Sequence, residues 1–208
     1  SKRIFDSRID VGRPLAKALA AYRGREPLVL AIPRGAVEMG AILAAELDGE
    51  LDVVLVRKLR APGSPEFAVG AVDEGGWAYI ANYAGEVGAD EAYLREEKQR
   101  QMETLRKRRA EYTPHRAAHD AAGRIAIVVD DGLATGATMI AALHAVRARK
   151  PARLVCAVPV AAPESLEKVR PYADEVVCLA TPPEFHAVSQ FYGSFPQVED
   201  EEVMRLLA

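Results

Sequence analysis

The sequence predicts an α/β protein with a three-layer α/β/α architecture around a mostly parallel sheet. Three observations support this. Short runs rich in β-branched residues are apolar almost throughout: L-V-L-A-I at 28–32, D-V-V-L-V at 52–56, R-I-A-I-V-V at 124–129, R-L-V-C-A-V at 153–158 and E-V-V-C-L at 175–179. Strands covered on both faces read this way, whereas a strand with one wet face alternates. Helical segments near 9–22, 36–48, 136–149 and 163–172 separate the runs, giving the β-α-β-α order of a parallel sheet. Finally, 208 residues suffice for a single domain spanning 1–208 with a substantial core.

In chain order, the first strand runs into A-I-P-R-G-A-V-E-M-G at 31–40, a strand, a tight loop and a helix start. Gly35 is expected to permit unusual backbone angles, and helix N–H groups follow it. An ordinary strand-to-helix turn is the plain alternative. The next strand, V-V-L-V-R-K-L at 53–59, is expected to end in the basic pair Arg57 and Lys58.

Residues 60–123 break the rhythm, because two core strands need no such separation. The interval opens with the turn formers R-A-P-G-S-P-E. F-A-V-G-A-V at 67–72 and W-A-Y-I at 77–80 are expected to form a hairpin around Asp73–Gly76. A charged helix over about 90–112 follows, with a weak apolar stripe of Leu94, Met102, Leu105 and Tyr112. It reads either as a solvated helix covering a sheet edge or as a flap or interface helix. T-P-H-R at 113–116 ends it, so an insertion or flap is expected over about 60–118.

The net charge of −3 provides no global basic field, so neither nucleic acid nor an anionic membrane is an expected partner. A ligand carrying phosphates must be held by a local site. No run approaches the ~20 apolar residues of a membrane span. S-K-R-I-F-D-S-R at the start has no signal-peptide apolar core. The cytoplasm is the expected location, and homo-oligomerisation is compatible with the sequence. Cys156 and Cys178 sit in apolar runs and are expected to be buried, reduced thiols.

The chemistry concentrates in I-A-I-V-V-D-D-G-L-A-T-G-A-T-M-I, where an apolar strand ends in two carboxylates and a loop of small residues leads into a helix. This places the loop at the C-terminal edge of a parallel sheet, where α/β proteins bind ligands. Small residues allow close backbone approach, and N–H groups at a helix N-terminus can face a phosphate. Thr135 and Thr138 add hydroxyl donors. Asp130 and Asp131 suit hydroxyl donors, a divalent cation or both, but not a phosphate. Together they specify a sugar phosphate, with a diol at the acids and a monoester at the loop. Other nucleotide and hydrolase signatures are absent: G-x-x-x-x-G-K-[ST], G-x-G-x-x-G and G-x-S-x-G do not occur. His115 and His119 are four apart, but the residues around them favour a loop over a metal helix.

The segment 129–139 resembles the signature with which type I phosphoribosyltransferases bind 5-phosphoribosyl-1-pyrophosphate (PRPP). The resemblance implies that Asp130 and Asp131 hold the ribose hydroxyls. It implies that Gly132, Leu133, Ala134, Thr135, Gly136, Ala137 and Thr138 cradle the 5′-phosphate. It also implies Mg²⁺ bridging the ribose hydroxyls and pyrophosphate, with few direct protein ligands; Asp130 and Asp131 are the only candidates. The segment 31–40 resembles the family's pyrophosphate loop, with Gly35 in the loop and Arg34 as its cation. Arg57 and Lys58 resemble a basic pair facing PRPP, with Arg34 and Lys58 stabilising the departing pyrophosphate. The region after them resembles the family's mobile loop. The expected function is Mg²⁺-dependent phosphoribosyl transfer to a small-molecule base or amine; a PRPP- or nucleotide-binding regulator of the same fold is the alternative.

The acceptor is less legible. Many hypoxanthine/guanine members of that family carry an Asp just before T-G, where this chain has Ala134, which weakens a 6-oxopurine assignment. The aromatic segment T-P-P-E-F-H-A-V-S-Q-F-Y-G-S-F at 181–195 suggests a small C-terminal hood over about 181–208. Phe185, His186, Phe191 and Tyr192 are its candidates for an acceptor ring, unless the segment only docks the chain end on the core.

Overall fold

The computed structural model describes residues 3–114 and 117–208. Strands β1 (Leu28–Ala31), β2 (Glu50–Val53), β3 (Val56–Ala61), β4 (Ser64–Asp73), β5 (Ala78–Ile80), β6 (Ile125–Val129), β7 (Arg153–Val160) and β8 (Glu175–Ala180) form two sheets. Five strands pair in parallel in the order β2-β1-β6-β7-β8. All five expected apolar runs contribute to this sheet. Its central strands β1 and β6 are buried at every position.

The helices are α1 (Gly12–Ala18), α2 (Val37–Glu46), α3 (Glu91–Tyr112), α4 (Ala137–Arg147), α5 (Pro163–Val169) and α6 (Asp200–Leu207). Alternation along β1 divides the core. Val29 and Ala31 pack with Leu15, Met39 and Leu43 of α1 and α2. Leu28 and Leu30 pack with Ile140, Leu143 and Val146 of α4. Helices therefore cover both faces, giving three layers, and each large aliphatic side chain buried contributes about 1.5–3 kcal/mol. The expected helix over 9–22 is shorter, with α1 flanked by 3-10 turns at Ile9–Val11 and Ala20–Tyr22.

From residue 60 to Tyr112 the interval is largely regular secondary structure. β3, β4 and β5 form an antiparallel sheet, and the expected hairpin turns at 74–77 between β4 and β5. Pro62 and Gly63, with φ +69° at Gly63, make the tighter turn between β3 and β4. Helix α3 packs on this sheet, burying Leu105 and Tyr112. Asp90 caps it by accepting from the N–H of Tyr93 at 2.8 Å. One expectation needs correction. Arg57 and Lys58 do not end a strand of the parallel sheet: β2 stops at Val53, and both lie in β3 of the second sheet. The uninterrupted apolar run 53–56 conceals the crossing, because Val54 and Leu55 are buried at the junction of the sheets. No helix among the described residues is long and apolar enough to cross a membrane.

Candidate active site

β1 and β6 are neighbours in register, Ala31 opposite Val129, and the N–H of Ile32 donates to Val129 O at 3.1 Å. The loops that follow them therefore emerge side by side at one sheet edge. Contact between them is intimate. A Cβ on Gly35 would lie 2.8 Å from Asp131 Oδ2 and 2.1 Å from Arg8 Nη1. Gly35 is not among the residues with positive φ, so the glycine is required here by this close approach.

Asp130 and Asp131 stand at the end of β6. The N–H of Asp131 donates to Asp130 Oδ1 at 2.8 Å. Burial, followed by the charge of Asp131, raises the Asp130 carboxyl well above its usual range, while Lys58 opposes the rise. Burial also raises Asp131, against the pull of Arg8. Arg8 Nη1 meets Asp131 Oδ2 at 3.2 Å, and Tyr192 donates its hydroxyl to Asp131 O at 2.6 Å. Two adjacent carboxylates at one edge suit hydroxyl donors and a cation that relieves their repulsion.

The loop beyond is anchored from behind. Leu133 donates to Val160 O at 3.0 Å and accepts from the N–H of Ala162 at 3.2 Å. Ser165 Oγ donates to Ala134 O. Gly136, at φ +85°, turns the chain into α4, a conformation closed to most side chains. Thr135 Oγ1 accepts from the N–H of Ala137 at 3.3 Å. The N–H groups of Ala134, Thr135, Gly136 and Thr138 have no hydrogen-bond partner among the described residues. Unpaired N–H groups gathered at a helix N-terminus are arranged to receive an anion.

Two cavities meet at the acid pair. The first, about 450 Å³, is lined by Arg34, Gly35, Arg57, Lys58 and Arg60 together with both acids. Its four basic side chains are gathered opposite the acids, and Glu66 lines it as well. Burial and then the charges of Arg108, Arg60 and Arg34 lower the Arg57 guanidinium. Arg57 donates to Gln101 Oε1 at 3.0 Å. Asp200 is the nearby counter-charge, 3.7 Å from Arg34 and 3.3 Å from Arg108.

The second cavity, about 650 Å³, lies between the loop 132–136, the β4 residues Glu66 and Phe67, and the C-terminal segment. β4 reaches it through a break in pairing: Arg60 faces Ala68 and Ala61 faces Ser64, so residues 65–67 bulge outward. His186 lines the cavity, as do Val188, Ser189 and Phe195. Phe185, Phe191 and Tyr192 do not. Phe191 and Tyr192 are buried in the core, and Phe185 packs on Phe191 with centroids 4.9 Å apart. Phe67, Phe195, Glu66 and Arg8 had no local signal in the sequence. Phe195 closes the aromatic segment, but nothing in the pattern marks it as the residue facing inward.

No group of three or more His, Cys, Asp or Glu among the described residues could hold a metal by itself; His115 lies outside those residues. Asp130 and Asp131 alone suit an ion that brings its other ligands with it. Cys156 and Cys178 carry no disulfide, and burial pushes the Cys156 thiol up.

The model of the phosphoribosyl transferase domain family matches residues 2–192. Two proteins from strains of Mycobacterium tuberculosis, each named "Putative phosphoribosyl transferase", are 40% identical over 206 residues, covering 99% of this chain and 46% of their own length. The chain thus spans about half the length of the curated relatives it matches. The crystal structure of TT1426 from Thermus thermophilus is 48% identical, with a TM-score of 0.81, covering 98% of this chain and 97% of that one.

Proposed function

The chain belongs to the phosphoribosyl transferase domain family, and on that premise we propose that it transfers the 5-phosphoribosyl group of PRPP to a small base or amine, releasing pyrophosphate. The observation that carries this reading is the sharing of Asp130, Asp131, Lys58 and Thr138 by both cavities. A sugar seated on the acids presents its C1 to the basic cavity on one side and to the hooded cavity on the other.

Asp130 and Asp131 receive the ribose hydroxyls, and the loop from Gly132 to Thr138 receives the 5′-phosphate. The backbone at Gly35, with Arg34, Arg57 and Lys58, stabilises negative charge that grows on the departing pyrophosphate. The C1–oxygen bond breaks, its electron pair leaving on pyrophosphate, as the bond from C1 to the acceptor nitrogen forms, and that nitrogen's proton passes to the departing pyrophosphate. Phe67 and the hood around Val188 and Phe195 shelter the acceptor and keep out water, which would otherwise hydrolyse the activated sugar. Asp130 and Asp131 are the residues that would hold Mg²⁺, which would supply charge neutralisation when bound.

The test incubates the protein with PRPP, Mg²⁺ and a panel of nucleobases and amines while pyrophosphate release is followed. Release with one acceptor and not with the others supports transfer. Tight PRPP binding by calorimetry without release from any acceptor leaves a binding-only protein instead. Failure to bind PRPP overturns the reading.

A further inference from the structure

Resting on this reading, we propose that Arg8 is a positioning residue of the ribose site, holding the Asp131 carboxylate in the orientation that receives the sugar hydroxyl. Arg8 is buried, 9% exposed, at the end of the N-terminal arm. Its guanidinium is committed on three sides. Nη1 meets Asp131 Oδ2 at 3.2 Å. Nη2 donates to Pro196 O. Its Cζ lies 3.9 Å from the centroid of the Phe195 ring.

Arg8 lines neither cavity, whereas Asp131 lines both. The arginine thus stands behind the carboxylate and not beside the ligand. Asp131 adjoins Asp130, and a free carboxylate there would turn away from its neighbour. Arg8 offsets that repulsion and fixes one oxygen. The arm that carries it is itself fixed, because the N–H groups of Ile4 and Phe5 both donate to Phe191 O at 2.9 Å, and Gly193 and Ser194 donate back to Phe5 O and Asp6 O at 2.8 and 2.7 Å. Gly35 completes the arrangement by leaving room for the guanidinium.

A buried ion pair is not in itself a source of stability, so the test must separate positioning from support of the fold. Calorimetric titrations of wild type, Arg8→Met and Arg8→Lys use three probes: PRPP with Mg²⁺, ribose 5-phosphate, and inorganic phosphate. Phosphate needs only the loop, whereas the other two also need the diol. Arg8→Met should weaken PRPP and ribose 5-phosphate about tenfold or more, the scale of a lost charged hydrogen bond, and leave phosphate within about twofold. Arg8→Lys keeps the charge with fewer donors and should fall between wild type and Arg8→Met. Proportional loss for all three probes would reduce Arg8 to a structural role, and wild-type affinities would remove even that. If Arg8→Met does not fold, Arg8→Lys decides: its loss must fall on ribose 5-phosphate and not on phosphate. A wild type that binds phosphate but neither sugar phosphate overturns the function proposed above, and this inference with it.

Discussion

Val188 Cγ1 stands 2.8 Å from the position a Cβ on Gly132 would take, so the C-terminal segment rests directly on the first residue of the loop 132–138. Val188 Cγ2 is at 2.9 Å and Val160 Cγ1 at 3.1 Å from the same point. The backbone at Gly132 is not in the left-handed region, so the glycine is needed for space. Gly132→Ala should cost about 1–3 kcal/mol by overpacking, read from urea unfolding. Adding Val188→Ala should recover most of it, a coupling that a double-mutant cycle measures. A Gly132→Ala protein as stable as wild type would mean that the segment does not rest there.

Converting both Asp130 and Asp131 to Asn should abolish Mg²⁺-dependent PRPP binding and raise stability at neutral pH. The sign follows from the raised carboxyls. A group whose pKa is higher folded than unfolded contributes stability below the unfolded value and loses it as pH rises through the folded one. Neutral pH lies above the unfolded value, where that contribution is being lost as pH rises, whereas the Asn pair carries no charge. PRPP titration with and without Mg²⁺, alongside thermal unfolding, tests both halves. Normal PRPP binding by the double variant would refute the assignment of the diol to these acids.

Thr138→Ala should weaken PRPP binding by about 1–2 kcal/mol while leaving the fold intact, since Thr138 faces both cavities from the first turn of α4. Calorimetry measures this directly. Unchanged affinity would place the 5′-phosphate elsewhere.

Tyr112 donates to Asp200 Oδ1 at 2.7 Å, and burial first and this bond second push its phenol up to about 12. Asp200→Ala should lower that value, because the acceptor that stabilises the protonated phenol is gone. Difference absorbance in the near ultraviolet, where phenol and phenolate differ, reports the transition, with Tyr112→Phe as the control. The same variant releases Arg34 and Arg108 from their shared counter-charge. An unmoved alkaline transition would show that burial alone sets the phenol.

Asp174 joins β7 to α4 by accepting from Leu154 N–H at 2.7 Å and from Arg147 at 3.0 and 3.1 Å. Arg147 first and the backbone bond second lower its carboxyl below the usual value of 3.8. Its stabilisation is therefore present above pH 3.8 and is lost as pH falls through the lower folded value. Asp174→Asn should be less stable than wild type at neutral pH, with the difference shrinking in strong acid. Urea unfolding at neutral pH and in strong acid tests the sign, and a gap that widens in acid contradicts it.

The sequence by itself determined the central sheet and the loop at its edge. Both depend on short-range signals: unbroken apolar runs for strands buried on two faces, and two acids followed by small residues where a strand gives way to a helix. The segments that became β1, β6 and α4 carry those signals within a few residues of the positions they govern. Tertiary structure alone decided how the site is closed. Arg8 lies 123 residues from Asp131 in the chain, and Phe67 reaches the second cavity only because pairing breaks between β3 and β4. It also buried Phe191 and set the Tyr192 hydroxyl on a main-chain carbonyl, the docking alternative that the sequence left open. An aromatic run in the sequence shows that rings will be buried, but not which ring faces a ligand. That depends on packing between segments far apart in the chain, to which a local pattern is blind.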